Sequence, residues 1–374
     1  MKNAFKFDRE RLLLGIAGPV LALAVAFALS VLVLVASGLD PIEPFQIMFS
    51  SLQEQDVQVL IVNQWATYYL AALAVAVGFR MNLFNIGVDG QYRLAAVLAA
   101  IVGVKVSAPG PLHILIIILT AIVVGSIWAG VAGVLKTARG VSEVVSTIML
   151  NAIAGNLIAW MVLKDQFGEQ AEGSNDLTTG LIDESGWFPG IKVSDFAGEI
   201  YGFVFIAAAV GVVYWYVLSR TRFGFDLRAS GASESAAAAS GVDAKRMVLV
   251  SMLISGAVAG LAGMPELLGG THTYSSNFPV GVGFTGITIA LLGRNNPIGV
   301  AFAALLIAFL DKASSQLNLE GYPAEIAKIM QGLIVLSVVI SYEQVRRYGQ
   351  RRQQHRVGEE LAAQAKKNRK EVSA

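Results

Sequence analysis

Several stretches of this chain carry no Asp, Glu, Lys or Arg for the length of a membrane crossing, among them Leu12–Ser37, Val57–Phe79, Leu112–Leu135 and Val144–Leu163. Each reaches the roughly 20 residues an α-helix needs to span a hydrocarbon core. In lipid the backbone must satisfy its own N–H and C=O groups, so repeated runs of this kind dictate a helical bundle. Composition agrees: of 374 residues 55% are apolar and 15% charged, against about 25% charged in a soluble domain. The chain reads as an all-α polytopic membrane protein. The first run follows basic residues, and "VAS" before Gly38 loosely resembles a signal cleavage site. It is too long for a signal-peptide core and reads as a retained span.

Runs and breaks predict about ten transmembrane helices, near 12–37, 57–79, 83–104, 112–135, 143–163, 200–219, 247–268, 281–293, 297–311 and 324–341. The third is polar and the eighth short. Basic residues at the span ends predict both termini inside. Lys2, Lys6, Arg9 and Arg11 precede the first span, whereas 38–56 holds four acids and no base. The segment 164–199, with eight acids against two lysines, reads as an extracytoplasmic loop, and 221–246, with four basic residues and Arg220 just before it, as a cytoplasmic one. On this reading 1–341 is the membrane domain and 342–374 a charged cytoplasmic tail, frayed or disordered, attracted to anionic lipid. A specific partner for the tail is the second reading.

Polar groups interrupt this pattern in "RMNLFNIGVDGQYR" (80–93). A carboxylate such as Asp89 costs about 2.5–3.5 kcal/mol at the centre of a span, so it must face protein, water or the interface. Gly87 and Gly90 allow broken or re-entrant backbone there. Asn85, Asp89 and Gln91 either line a substrate path or pack a helix end, with Asp89 near Arg80 or Arg93. In "GVSEVVSTIMLNAIAGN", Glu143, Thr147, Asn151 and Gly155 recur every fourth residue and share one helix face. That stripe is a pathway wall or interhelical glue; Glu143, at the end of the run, reads as solvated. Gly256, Gly260 and Gly263 have the spacing of a close helix seam. Glu266 follows Pro265 and suits either a pathway or an interface. His113 and His272 stand alone, and cysteine is absent, so no metal site, disulfide or thiolate chemistry is expected. A short match between 84–90, "FNIGVDG", and 278–284, "FPVGVGF", hints at an inverted repeat.

"FNIGVDGQ", "GVSEVVSTIMLN", "GFTGITIALLGRNNPIG" and "IAKIMQGLIVL", in that order, closely resemble the permease subunit of ABC importers, in the branch handling nucleosides and simple sugars. The likeness runs from about Val57 to Ser341. Asp89 stands where that family commonly has Glu. The resemblance implies that "TRFGFDLRASGASESAAAASGVDAKRM" is a cytoplasmic coupling segment, with Gly224, Arg228, Ala229, Gly231, Ala236, Ala237 and Gly241 at the family positions. Local chemistry is compatible: Ser233 can cap a short Ala-rich helix, Glu234 suits its positive end and Gly241 its stop. The resemblance also implies a separate ABC ATPase that uses ATP and Mg, a related second permease forming a heterodimer, an extracytoplasmic solute-binding lipoprotein, and a bacterial inner-membrane location. No nucleic-acid partner is expected, and no cofactor bound by this chain.

No phosphate-loop motif occurs, since "GVLKT" at 133–137 lacks the glycine before its lysine, nor any H-E-x-x-H or G-x-S-x-G pattern. The chain is therefore expected not to be an enzyme. The competing class is a secondary transporter coupling a proton or sodium ion through Asp89 or Glu266.

Overall fold

The structure is a computed structural model that describes residues 9–170, 173, 175–341, 344, 347, 348 and 354. Most of the tail singled out above, and Lys2 and Lys6, lie outside the described residues. In chain order the helices are α1 (Arg9–Ala36), α2 (Glu43–Ser50), α3 (Gln55–Arg80), α4 (Val88–Lys105), α5 (Gly110–Arg139), α6 (Glu143–Met161), α7 (Phe203–Arg220), α8 (Arg222–Ala232), α9 (Glu234–Ala239), α10 (Ala244–Leu261), α11 (Met264–Gly269), α12 (Val282–Leu292), α13 (Pro297–Leu319) and α14 (Ala324–Ser341). The chain is an all-α polytopic membrane protein. Each of the ten regions expected from the sequence contains a helix. Among the described residues, seven segments are long and apolar enough to cross a membrane: α3, α5, α6, α7, the near-continuous α10–α11, α13 and α14.

Two compact units divide the chain. In the first, Met1–Ser51 with Ala313–Ala374, the Phe27 and Phe45 rings lie 4.8 Å apart, and Asp40 Oδ1 caps the turn into α2 by accepting from the Ile42 and Glu43 amides. The Tyr322 hydroxyl donates to Glu43 Oε2 at 2.5 Å.

In the second unit, Leu52–Lys312, α3 is the central post. Every residue from Leu70 to Ala76 is fully buried, and Ala at 71, 72, 74 and 76 lets neighbouring helices close in. Gly286 of α12 abuts the Ala71 backbone. The predicted glycine seam is real. A Cβ on Gly256 would collide with the Gly125 carbonyl of α5, and one on Gly260 with the Ala121 carbonyl. Helices α5 and α10 thus meet backbone to backbone, the approach that small residues permit in lipid. Ser126 Oγ donates across the seam to the Leu253 carbonyl at 3.1 Å. Gly263 continues the stripe onto α4, against Ala96 and Tyr92.

Helix α12, eleven residues long, rises only about 16 Å and is entered through irregular backbone. The acidic stretch 164–199 is more ordered than a plain loop. Strand β1 (Glu169–Gln170) pairs with β2 (Leu177–Thr178), and β3 (Ile191–Ser194) with β4 (Gly198–Ile200), both antiparallel. Its backbone then bonds α11 and the segment after it, Thr179 N to Tyr274 O, Ile182 N to His272 O and Phe188 N to Leu268 O, each at 2.9 Å. The two histidines expected to stand alone belong to this cap. Buried His113 has Nδ1 2.8 Å from Ser185 Oγ and Nε2 2.9 Å from the Gly103 carbonyl. His272 stacks on Trp187 at 3.9 Å, and burial holds its imidazole pKa below the usual value. Among the described residues no cluster of His, Asp and Glu could hold a metal.

The seam makes a sharp contrast testable. Gly256→Leu, facing the Gly125 carbonyl, should destabilise the protein by at least the roughly 1–3 kcal/mol typical of overpacking. Gly155→Leu, where a side chain meets open space, should leave the thermal unfolding midpoint in detergent nearly unchanged. Equal midpoints for the two variants would remove the seam from the account.

Candidate functional site

Helices α4 and α12 both begin inside the second unit, and a helix start leaves four N–H groups without intrahelical partners. In water they would be hydrated; in a membrane they must find protein acceptors. Neither start has a side-chain cap of its own, the cap positions being Gly87 and Gly281, the latter at φ +88°. Each is capped by another segment instead. Asp89 Oδ1, in the first turn of α4, accepts from the backbone N–H of Gly281 at 2.8 Å and of Gly283 at 3.2 Å. Asn151 Oδ1, from α6, accepts from Gly90 N at 2.9 Å, while its Nδ2 donates to the Ile86 carbonyl at 2.9 Å. The two similar segments, 84–90 and 278–284, are thereby brought face to face. The Tyr92 hydroxyl donates to the Pro279 carbonyl, and its ring lies 6.0 Å from Phe278.

A second layer fixes the bend before α4. The Asn85 and Gln91 amides bond head to head, Nδ2 to Oε1 at 3.0 Å and Nε2 to Oδ1 at 2.9 Å. Asn85 Nδ2 also donates to Ser255 Oγ at 2.8 Å, and that hydroxyl donates to the Ala74 carbonyl at 2.6 Å. Glycine is needed here for closeness: a Cβ on Gly87 would press on Asn85, Gln91 and Thr147, and one on Gly90 on Asn151. Thr147, fully buried, turns its hydroxyl to the Glu143 carbonyl of its own helix at 2.7 Å.

Of the six predicted path residues, the structure gathers Asn85, Asp89, Gln91, Thr147 and Asn151 around the start of α4, Asn151 half-buried and Thr147 bonded only to carbonyls of its own helix. Glu266 stands apart on α11, half-buried, with the Lys312 charge nearby. Of the two arginines expected near Asp89, the Arg93 charge is the one close to it; Asp89 spends Oδ1 on the start of α12, while Arg80 turns away to donate to the Asn295 carbonyl at 2.7 Å. One expectation needs correction. Glu143 is buried instead of solvated: Lys136 Nζ lies 2.6 Å from Oε2, and Phe84 N donates to Oε1 at 3.3 Å. The lysine four residues before Gly140 was the signal for that pair. Sequence reasoning also missed Asp311, because a charge was taken as the end of the ninth span. Helix α13 runs on through it, and the Tyr68 hydroxyl bonds Asp311 Oδ2 at 3.3 Å.

The segment 221–246 folds as an elbow of two short helices. Thr221 caps α8 by accepting from Gly224 N at 3.2 Å, and Ser233 caps α9 through Ala236 N at 3.3 Å, as its position predicted. Gly241 follows at φ +82°. The inner face of the elbow is clamped to the bundle. Gly224 lies on the Val217 and Leu218 carbonyls of α7, Arg228 donates to the Leu218 carbonyl, and Gly231 lies on Arg80 and Met81 at the end of α3. Ala237 is buried and Ala229 half-buried, whereas Phe225 (61% exposed), Glu234 and Ala236 face outward.

A family model described as the branched-chain amino acid transport system / permease component matches residues 58–339, which include the trans-capped network and the elbow. The chain belongs to this permease family. Among its relatives is the guanosine ABC transporter permease of Bacillus subtilis, 33% identical over 87% of this chain and 93% of that protein. The glucose ABC transporter permease of Haloferax volcanii is 31% identical over 86% of this chain and 87% of its own. The ribose import permease of Escherichia coli is 25% identical, over 84% and 91% respectively. No solved structure matches the chain. The family and its spans make this permease a multi-pass protein of the inner membrane.

The trans caps can be weighed directly. Asp89→Ala leaves one buried and one part-buried N–H group unpaired and should destabilise the permease by about 1–3 kcal/mol. Asp89→Asn keeps an oxygen for them and should lose distinctly less, read as unfolding midpoints in detergent. Asn and Ala variants of equal stability would mean that the cap contributes nothing.

Proposed function

We propose that this chain is a membrane-spanning subunit of an ATP-driven importer for nucleosides or simple sugars. The observation that carries the reading is the elbow α8–α9, whose inner face is fixed to the ends of α3 and α7 while its outer face is free for a partner. A separate ATPase, using ATP and Mg, would seat on that outer face, and its closure would push through the elbow into α3 and α7. A second homologous permease would complete the pathway, and an extracytoplasmic binding lipoprotein would deliver the solute. The substrate class follows from the relatives, whose names include guanosine, glucose and ribose; all three are neutral polyhydroxylated solutes.

The remaining assignments fit that frame. Residues 1–341 form the permease domain, with 164–199 outside the cell and 221–246 and the tail 342–374 inside. The charge bias at the span ends supports this orientation. Asn85, Asp89, Gln91, Thr147 and Asn151 form the framework behind the path, and Glu266 lies on its wall. Rigid-body rocking about this framework would give alternating access. An ion-coupled carrier working through Asp89 would need that carboxylate free to exchange its ion, and its Oδ1 already holds two backbone N–H groups.

Gentle purification of the tagged chain should recover a phosphate-loop ATPase and a second permease in fixed ratio. Gly231→Leu, which meets the Arg80 and Met81 backbone, should cut nucleoside or sugar uptake at least tenfold while the subunits stay associated. Glu234→Ala and Ala236→Trp on the outer face should instead weaken ATPase association. Recovery of the chain alone, under conditions that preserve a known ABC complex, would replace the importer with the ion-coupled carrier.

A further inference from the structure

A groove of about 310 Å³ opens on the second unit between α3, α7 and α13. Trp65 and Tyr69 form its floor, with rings stacked 5.0 Å apart at 15°. Both polar tips are turned away from it: Trp65 Nε1 donates to the Ala301 carbonyl at 2.9 Å and the Tyr69 hydroxyl to the Pro297 carbonyl at 3.2 Å. Gly211 makes room for the Tyr69 hydroxyl, which occupies the place a Cβ would take. What remains facing outward is hydrocarbon and aromatic ring, flanked by exposed Val212, Trp215 and Ile298. One charged group stands at its edge. The Arg220 guanidinium lies over the Trp215 ring, 5.9 Å from its centre, and is exposed at the end of α7.

We infer that this groove is a lipid site that holds one acyl chain of an anionic phospholipid, with the phosphate head group at Arg220. The volume falls at the low end of small-molecule pockets, about 300–1,000 Å³, and the helices that form it lie in a membrane. An acyl chain asks for no hydrogen bond, and the floor offers none. The end of α7 is where a basic side chain reaches the head-group layer. A partner helix fits less well, because close helix contacts in lipid use small residues and these flanks are large. The site is independent of transport, so it stands or falls apart from the importer reading.

Five tryptophans are present, and two of them, Trp65 and Trp215, line the groove. The full-length protein is placed in phosphatidylcholine vesicles with a small mole fraction of phosphatidylglycerol or phosphatidylcholine brominated on the acyl chains. Bromine quenches indole at contact. The Trp65 and Trp215 share of the quenching is taken by difference from the Trp65→Phe, Trp215→Phe variant. Brominated phosphatidylglycerol should quench that share half-maximally at a mole fraction roughly five-fold lower than brominated phosphatidylcholine, the factor one arginine supplies near an anionic surface. Arg220→Gln, an exposed change that leaves every tryptophan in place, should abolish the preference. Ala208→Phe, which fills the groove, should remove the quenching at low mole fraction. Equal quenching by both lipids, or a preference that survives Arg220→Gln, overturns the proposal. So does the absence of quenching by either, which would mean that protein covers the groove.

Discussion

Two helices of this bundle, α4 and α12, start at glycines that offer no side-chain cap, and N–H groups at their starts are met by side chains of other segments. Asp89 of α4 answers for α12, and Asn151 of α6 answers for α4. The arrangement is a relay: the helix that caps its neighbour is itself capped from a third. Because the acceptors come from other segments, a start cannot form until those segments are in place. Local helix preference, weak at Gly87 and Gly281, is therefore replaced by tertiary bonds that specify which elements meet.

The end of α3 gathers several of these elements. Arg80 donates to the Asn295 carbonyl in the turn between α12 and α13, and Tyr214 of α7 donates to the same carbonyl at 3.2 Å. Gly231 of the elbow lies on the backbone of Arg80 and Met81. Four residues further on, Asn85 enters the buried amide pair. The elbow, the α12–α13 turn and the bend before α4 are thus within a few bonds of one another. This is contiguity of structure, the physical condition for transmitting a push.

Much of the fold was legible because the membrane imposes simple rules. Uncharged runs located the helices, Gly256 and Gly260 announced the seam, and Ser233 marked the start of α9. The polar cluster at 85–91 was visible as an anomaly, but its partners were not. The nearby Arg93 was expected beside Asp89, but no local pattern says that its Oδ1 will meet Gly281, almost two hundred residues away. Where charge was used as a boundary it misled. Glu143 lies at the end of its helix yet is buried, because Lys136 neutralises it across the turn at Gly140. Asp311 interrupts an apolar run without ending α13, because Tyr68 offers it a hydroxyl. The elbow's inner glycines stood out only through resemblance; their reason, contact with the ends of α3 and α7, is a property of packing.

The seam between α5 and α10 also has a mechanical meaning. Helices held apart by long side chains can slide, because rotamers take up small displacements. Gly256 against the Gly125 carbonyl leaves no such cushion. A shift of one helix along the other would drive backbone into backbone, so the pair behaves as a single strut. Any change of shape must be accommodated elsewhere, at contacts made by larger and more adaptable side chains. Glycine, usually associated with pliancy, here acts as a lock.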